Sequence, residues 1–529
     1  MTEKYAVQIA KKYNSMTRNT QGGPGRPVQN PPRNPRTAVS GIEWSENQPP
    51  NGQPAARNII RFRPGPARHV QTTNEVSAFQ LFFTDEILSE ILNQTNREMR
   101  RVCAEKDIEP IEAFSMNELR AALGVLILAG VEKNWDVPLV NLYQSDYNPR
   151  YRATFPRERL KLILRFLRFD DKRTRAERLG TDRGAAISYI WRLFLETLTI
   201  DEQLVPYRGR CQFIQYMPAK PAKYGIKIFW LCDAKTSYAY NAKLYLGKKD
   251  DGVEVGLAES ACRELSAPVL NEGRNITLDN FFTSVPLAKF YSQNRTTLVG
   301  TIKKSRRDVP EIMKPRATRE KHSSIFGFYE DIVMVSYVPK KNKSVVLIST
   351  THDDKAIVPE LKSKPEIIIY YNKTKTGVDT MDQMVRTYST KRQTRRWPLA
   401  FFLNLLDVGC VNAFRIFETQ HPDLQWHRLK NCRGIYLRNL VDQLIRPQLE
   451  VRNACVLLRR ETRIALELLG YETGAANENR DVGDAPQIKK RKRCHICVAS
   501  KDRKCNNKCH QCDSFVCGQH SKLVCNRCI

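Results

Sequence analysis

The pattern of apolar and polar positions divides the chain into a helical block, a strand-rich block and a second helical block. From Thr84, the stretch TDEILSEILNQTNREMRR places apolar residues at i, i+3, i+4 and i+7 behind a capping Thr or Asp, which predicts an amphipathic helix. NELRAALGVLILAGVEKN, PRERLKLILRFLRFDD and SYIWRLFLETL follow as further helices, so the region 75–198 is expected to be all-α and rich in arginine. Strands dominate from Thr199. KYGIKIFWLCDAKTSYAYNAKLYLG reads as two strands about a turn, NITLD as a buried strand, SVPLAKFYSQN as a helix and TTLVGTI as another strand. This order suits a mixed sheet with helices packed on it. From Lys303 to about Lys364 the pattern changes. KKSRRDVPEIMKPRATREKH is basic and loop-like, and EDIVMVSYV and SVVLIST form a hairpin about PKKNK, which together read as an insertion. PEIIIYY is expected to resume the sheet. GVDTMDQM starts a long helical region in which RWPLAFFLNLLDVGCVNAFRIF is strongly apolar, with helices continuing to about Leu469.

The flanks are different in kind. Residues 1 to about 70 are rich in Pro, Gly, Asn, Gln and Arg, cannot bury enough apolar surface to offset ordering entropy, and read as a disordered, mobile basic arm. The polar linker TGAANENRDVGDAPQ precedes the basic run KKRKR (Lys489 to Arg493), which reads as a nuclear localisation signal. The chain carries 86 Lys+Arg against 56 Asp+Glu, a formal net charge of +30, and a polyanion is the natural partner of that balance. At 529 residues with 41% apolar content there is material for roughly three or four domains with real cores. The longest apolar run, Ala121 to Val131, falls short of the ~20 residues of a membrane span. No secretory leader pattern opens the sequence, so a soluble, intracellular protein without a membrane partner is expected.

Cysteine usage sharpens the picture at the C-terminus. Of 15 cysteines, eight lie from Cys494 onward. Cys494 and Cys497, Cys509 and Cys512, Cys517 and His520, and Cys525 and Cys528 form four pairs with two intervening residues, each able to grip half of a tetrahedral zinc shell. Eight ligands fit two zinc ions. By analogy with RING and PHD modules, the first and third pairs share one ion and the second and fourth the other. Cys505, His495 and His510 are then left over. A segment this short has little core, so metal binding would supply its folding energy.

Three aspartates carry the second candidate chemistry. Asp201 in LTIDEQL and Asp279 in NITLDNFFTS each close an apolar, β-leaning run, and Asp379 in TKTGVDTMDQM opens a helix with Asp382 one turn later on the same face. Taken singly, such residues are ordinary turn or cap residues. Converging from separate segments they form an oxygen cage suited to Mg²⁺, and a magnesium pair so held can activate an attacking oxygen and steady a leaving one at a phosphodiester. Arg208, Arg210, Lys223, Lys303, Lys304, Arg306 and Arg307 lie in loops near the aspartates and are candidate phosphate contacts, with Asn280 beside Asp279. Trp397, behind Arg395 and Arg396, is either a core staple or a base-stacking wedge.

The aspartate motifs, in this order, together with FQLFFTDEI, IDEQLVPYRGR, KPAKYGIK, DNFFTS, VPLAK, YYNKTKTGVDTMDQM and RRWPLA, resemble the piggyBac family of cut-and-paste DNA transposases. The resemblance runs from about Trp44 to the end. It implies an α/β, RNase H-like catalytic domain (199–302 and 365–390) bearing Asp201, Asp279 and Asp379, with Asp382 as a further ligand to Mg²⁺. It implies an all-α dimerisation and DNA-binding domain (75–198 and 391–470), an insertion domain (303–364), a linker (471–493) and a zinc-binding cross-brace (494–529). It further implies a nuclear homodimer that cleaves double-stranded DNA at terminal inverted repeats, forms end hairpins and inserts at TTAA. Two features depart from the family pattern. Ser188 to Val205 contains neither Pro nor Gly where a short turn is usual, and the N-terminal arm is basic rather than acidic. A domesticated DNA-binding derivative with weak or no cleavage is the alternative, and a zinc-module scaffold or ubiquitin ligase a third reading.

Overall fold

The structure is a computed structural model that describes residues 34–48, 66, 70–144, 146–194, 201–218, 220–247, 256–455, 458–472, 492–497, 504–505 and 515–520. The chain divides into two compact units, residues 1–452 and 453–529.

In the first unit the helical block is built as its periodicity demands. Helix α1 (Glu75–Gln80) is closed by a capping box between Asn74 and Ser77. Helix α2 (Asp85–Glu105) is capped by Thr84, whose hydroxyl accepts from the Ile87 amide, and buries Ile87, Leu88, Ile91 and Met99 along one stripe. Helix α3 (Met116–Val131), with a second capping box at Ser115 and Glu118, is buried along almost its whole length. Shorter helices α4 (Pro149–Thr154), α5 (Arg157–Phe166) and α6 (Ser188–Phe194) complete the block. The remainder of the predicted SYIWRLFLETL helix lies outside the described residues.

Beside the two-stranded pair of Ile357–Val358 with Lys364–Pro365, the strands of the first unit form two larger hydrogen-bonded sheets. In the first, β1 (Asp201–Pro206), β2 (Ile214–Tyr216) and β4 (Ala239–Leu244) all pair antiparallel with the central β3 (Tyr224–Cys232). In the second the order is β5 (Asn275–Leu278), β6 (Thr297–Thr301), β9 (Lys343–Ser349), β8 (Ile332–Lys340), β7 (Ser324–Tyr329). This sheet is mixed. β5 and β6 run parallel and are linked by helix α8 (Val285–Gln293), while the other neighbours are antiparallel. Helix α7 (Leu257–Ser266) and α8 pack on one face through Cys262, Leu265, Leu287 and Tyr291, and the other face is closed by Val299, Val335, Leu347, Ile367 and Ile368.

The hairpin expected within 303–364 is β8 and β9, and β9 pairs with β6, so it continues the sheet that leads to Asp279. Two sequence expectations change here. PEIIIYY is helix α9 (Glu366–Thr374), not a strand. Pro365 at its N-cap and Glu366 in its first turn favour a helix start, and a short apolar run is ambiguous by periodicity alone. Part of the N-terminal arm is ordered. Trp44 is fully buried, donates its indole N–H to the Asp308 carbonyl at 3.0 Å and packs beneath Gly327, while Ser45 pairs with Phe328. Those contacts anchor the loop that carries Lys303 to Arg307.

Helix α10 (Gly377–Thr387) packs on β1 and β3. Helix α11 (Trp397–Gln420) is long and apolar enough to span a membrane by composition, but 83% of its most apolar window is buried by neighbouring protein. Its Phe402 meets Phe83 and stacks on Phe169 from the first helical block, and its Asn412 brackets the backbone of Ala239 in β4. Helix α11 thereby ties the helical blocks on either side of the strands into one body. Helix α12 (Cys432–Asn453) closes that block. Helix α13 (Arg460–Glu467) belongs to the second unit.

Candidate active site

Asp201 is the first described residue of β1, and the strand runs on from it to Pro206, so it does not close a strand as the sequence suggested. Asp279 follows β5 directly, and Asp379 is the third residue of α10. Three chain segments therefore deliver one carboxylate each. The charge on Asp279 reaches Asp201, and the half-buried hydroxyl of Tyr371, on α9, lies within electrostatic reach of Asp279, Asp201 and Asp379 together. Burial pushes the Asp201 carboxyl up to about 7, and the negative charges of Asp279 and Glu202 add to that. Burial, with Glu202 again contributing, also raises Asp279. Lys220 opposes the shift at Asp201 and Lys303 opposes it at Asp279.

Local hydrogen bonds orient these groups. Asp279 Oδ1 accepts from the amides of Phe281 at 2.9 Å and Phe282 at 3.4 Å, and its carbonyl accepts from the Thr283 hydroxyl at 2.7 Å. That is the turn-capping role expected of a lone aspartate, and it leaves Oδ2 for another partner. Asp201 Oδ1 accepts from the Glu202 amide at 2.7 Å. Gly300 in β6 lies against this turn. A Cβ there would stand 2.3 Å from Thr283 Oγ1 and 2.8 Å from the Leu278 carbonyl, so only glycine permits the approach.

Asp382 differs from the other three. Its Oδ1 accepts from the Gln203 amide at 2.9 Å, and it forms an ion pair with Arg386. Gln203 Oε1 in turn accepts from Trp230 Nε1 at 2.9 Å and from Asn404 Nδ2 at 3.0 Å. This buried network locks β1, β3, α10 and α11 in register, and Asp382 serves it as an acceptor.

Glu202, Gln203, Lys220 and Tyr371 were not singled out from sequence. Glu202 is ion-paired to Lys227 at 3.0 Å, and its carbonyl accepts from Lys220 Nζ at 2.9 Å. Glu202 and Gln203 sit beside Asp201 in the IDEQL motif, and Lys220 and Tyr371 in the quoted KPAKYGIK and YYNKTKTGVDTMDQM stretches. Only the fold reveals that they converge.

Among the predicted DNA contacts, Lys303 is placed beside the site, its ammonium 5.4 Å from the Phe281 ring. Arg306 reaches the Phe281 carbonyl at 3.5 Å, and Lys304 and Arg307 share its loop. Arg208, Arg210, Lys223, Asn280 and Arg395 are exposed. Arg396 is not available to DNA. Its guanidinium donates to the carbonyls of Leu164, Arg165 and Leu167 at the end of α5. Trp397 is half-buried at the start of α11, edge-on to Phe213 at 5.0 Å.

In the second unit, the Sγ atoms of Cys494, Cys497 and Cys517 and a ring nitrogen of His520 all lie within 4.8 Å of one another. His520 Nδ1 is 3.5 Å from each of the three sulfurs. This soft tetrahedral N/S set fits zinc. Cys505 is held nearby, its strand residue paired with Lys492. Cys509, Cys512, Cys525 and Cys528 lie outside the described residues.

The family model described as Transposase IS4 matches residues 74–414. The fold matches a cryo-EM structure of the piggyBac transposase synaptic complex with hairpin DNA, with a TM-score of 0.71 and 34% identity, covering 88% of this chain and 99% of that one. The human PiggyBac transposable element-derived protein 2 is 22% identical over 391 residues, 67% of this chain and 63% of its own length. The human PiggyBac transposable element-derived protein 3 is 25% identical over 241 residues, 42% of this chain and 40% of its own length. The chain thus spans less than two thirds of the curated relatives it matches. With the family model extending over well over half of the sequence, and with a piggyBac structure matched along nearly its whole length, the chain belongs to the Transposase IS4 family as a piggyBac transposase family member.

Proposed function

We propose that the protein is a cut-and-paste DNA transposase in which Asp201, Asp279 and Asp379 hold two Mg²⁺ ions, with Asp382 in support, on an RNase H-like scaffold. What supports this reading is that Asp201, Asp279 and Asp379 lie on three separate elements of one unit, with α10 packed on β1 and with Asp201 close enough to Asp279 to feel its charge. The donor set fits: it is all oxygen, Asp279 keeps one carboxylate oxygen clear of its amide contacts, and a bound cation would relieve the repulsion between Asp201 and Asp279 without protonation. Bound magnesium supplies activation of the attacking oxygen and stabilisation of the leaving one. The protein's own part is positioning. Gln203 and Trp230 fix β1 against α10, the Asp279 turn is set by its amide contacts, and Lys220 and Lys303 set positive charge beside a phosphodiester.

On this reading hydrolysis at a terminal inverted repeat frees a 3′ hydroxyl, which attacks the opposite strand to give a hairpin end and later attacks a TTAA target. The helical blocks, joined through α11, serve dimerisation and DNA binding. The Cys/His cluster holds one zinc, and the remaining pairs a second. KKRKR directs the protein to the nucleus. The packing of Trp397 on Phe213 supports a structural role for that ring.

The alternative is a domesticated DNA-binding protein with little cleavage. The match to human element-derived proteins and the absence of Pro and Gly from Ser188 to Val205 favour it. A plasmid excision assay with the element's own ends separates the two: excision that requires Asp279 supports the transposase, and stable end binding without excision supports the derivative.

A further inference from the structure

Beside the carboxylate site, a cleft of about 960 Å³ opens between the ends of β1 and β3, the strap 385–395 and the loop after α3. Its volume is at the upper end of the ~300–1,000 Å³ of small-molecule sites. The floor is apolar, formed by Val205, Val385, Ala400 and Leu403. Its walls carry two exposed aromatic rings from different parts of the fold, Trp135 and Tyr224, each 41% exposed. Each ring has a cation over it. Arg208 lies 5.4 Å from the Tyr224 centroid and Lys391 lies 5.8 Å from that of Trp135.

Charge on the walls is one-sided. Arg208, Lys391 and Arg395 have no carboxylate partner among the described residues. The two acids present are already engaged, Asp382 by Gln203 and Arg386, and Asp407 by the Thr390 amide and the Ser389 hydroxyl. Arg392 donates to the carbonyls of Asn134 and Trp135 and so holds the Trp135 loop at the cleft edge. A cross-strand neighbour, Tyr216, is 58% exposed and 4.8 Å from the Tyr224 ring, extending the aromatic surface. Large exposed rings flanked by unpaired guanidinium and ammonium groups over an apolar floor match a planar base carrying a phosphate, and poorly match an aliphatic or cationic ligand.

We infer that this cleft receives an unpaired nucleotide at a DNA end, with its base against Tyr224 or Trp135 and its phosphate toward Arg208, Lys391 and Arg395. The inference rests on the DNA-end reading above and adds a subsite to it. Trp397 does not line this cleft, so the aromatic contacts come from residues outside the RRWPLA motif.

The test uses the full chain, a blunt duplex, and the same duplex with a short single-stranded overhang containing 2-aminopurine. Wild-type protein is expected to change the 2-aminopurine fluorescence and to bind the overhang duplex more tightly than the blunt one. Tyr224→Ala or Trp135→Ala, whichever removes the stacking ring, should weaken overhang binding by about tenfold and abolish the fluorescence change, with blunt-duplex binding and melting temperature unchanged. Tyr224→Phe should retain both. Equal loss on blunt and overhang DNA, or no loss on either, overturns the assignment. Full competition by a free deoxynucleoside monophosphate at micromolar concentration also overturns it, because the site would then serve a free nucleotide. Failure of the wild type to bind the blunt duplex counts against the DNA-end reading itself, and is distinguishable from loss of the overhang preference alone.

Discussion

The proposed carboxylate site and the Cys/His cluster are assembled in opposite ways. The cluster draws on two short pairs, Cys494 with Cys497 and Cys517 with His520. The proposed carboxylate site draws Asp201, Asp279 and Asp379 from three elements spread over nearly 180 residues, inside a unit with extensive sheets and apolar cores. On the proposed reading, metal binding makes the structure in the first case, and in the second the fold prepares a place for metal.

The comparison breaks most sharply on chelation. Stripping metal with a strong chelator should unfold the 494–529 region, since structural zinc contributes on the order of 10 kcal/mol to such modules, while the unit 1–452 keeps its circular dichroism. Native mass should fall by two zinc ions. A loss of one would leave the cross-brace unsupported, and Cys512→Ser should lose one where Cys505→Ser loses none.

A smaller effect is expected where the first unit prepares its site. Gln203→Ala leaves the buried Trp230 Nε1 and the Asn404 amide without their acceptor, at about 1–3 kcal/mol for each group left unsatisfied, and should lower thermal stability and cleavage together. An unchanged melting temperature would contradict the preformed site. Gly300→Ala should cost about 1–3 kcal/mol by overpacking the Asp279 turn, with cleavage reduced more than DNA affinity.

The first unit should also show a pH dependence. Between 3.8 and about 7 the folded protein binds more protons at Asp201 than the unfolded chain does. Metal-free stability from this group is therefore full below its unfolded value and is lost as pH rises through about 7. Added Mg²⁺ should flatten that slope in denaturant titrations. A slope of the same sign and size with and without Mg²⁺ would place the ion elsewhere.

The two sites also differ in how far they could be read before folding. Pairs two residues apart are a local signal, so Cys494, Cys497, Cys517 and His520 were legible as a group. The aspartates were legible as individuals and through resemblance, while their neighbours Glu202, Lys220 and Tyr371 were not, because convergence depends on sheet pairing. The strand after Asp201 was not read as continuing to Pro206, and IIIYY in α9 was read as a strand, since a short apolar run carries no period long enough to decide. Arg396 looked like a DNA contact because a charge beside a Trp cannot be distinguished, in sequence, from one that caps the carbonyls of a distant helix. The hairpin β8–β9 was visible, but not its pairing through β9 to β6. Trp44 was visible only as one ring in a Pro- and Gly-rich arm, and its burial depends on a loop more than 260 residues away.

On the proposed mechanism Asp201, Asp279 and Asp379 act together through a divalent cation. The most direct measurement is strand nicking of the cognate end in Mg²⁺ by each single Asp→Asn variant, with DNA affinity measured alongside. Asn keeps the size and one carbonyl oxygen of Asp but removes its charge, so each variant should lose nicking by at least a hundredfold while binding DNA as tightly as wild type or slightly more so. Nicking at the wild-type rate by any one of the three would contradict the account.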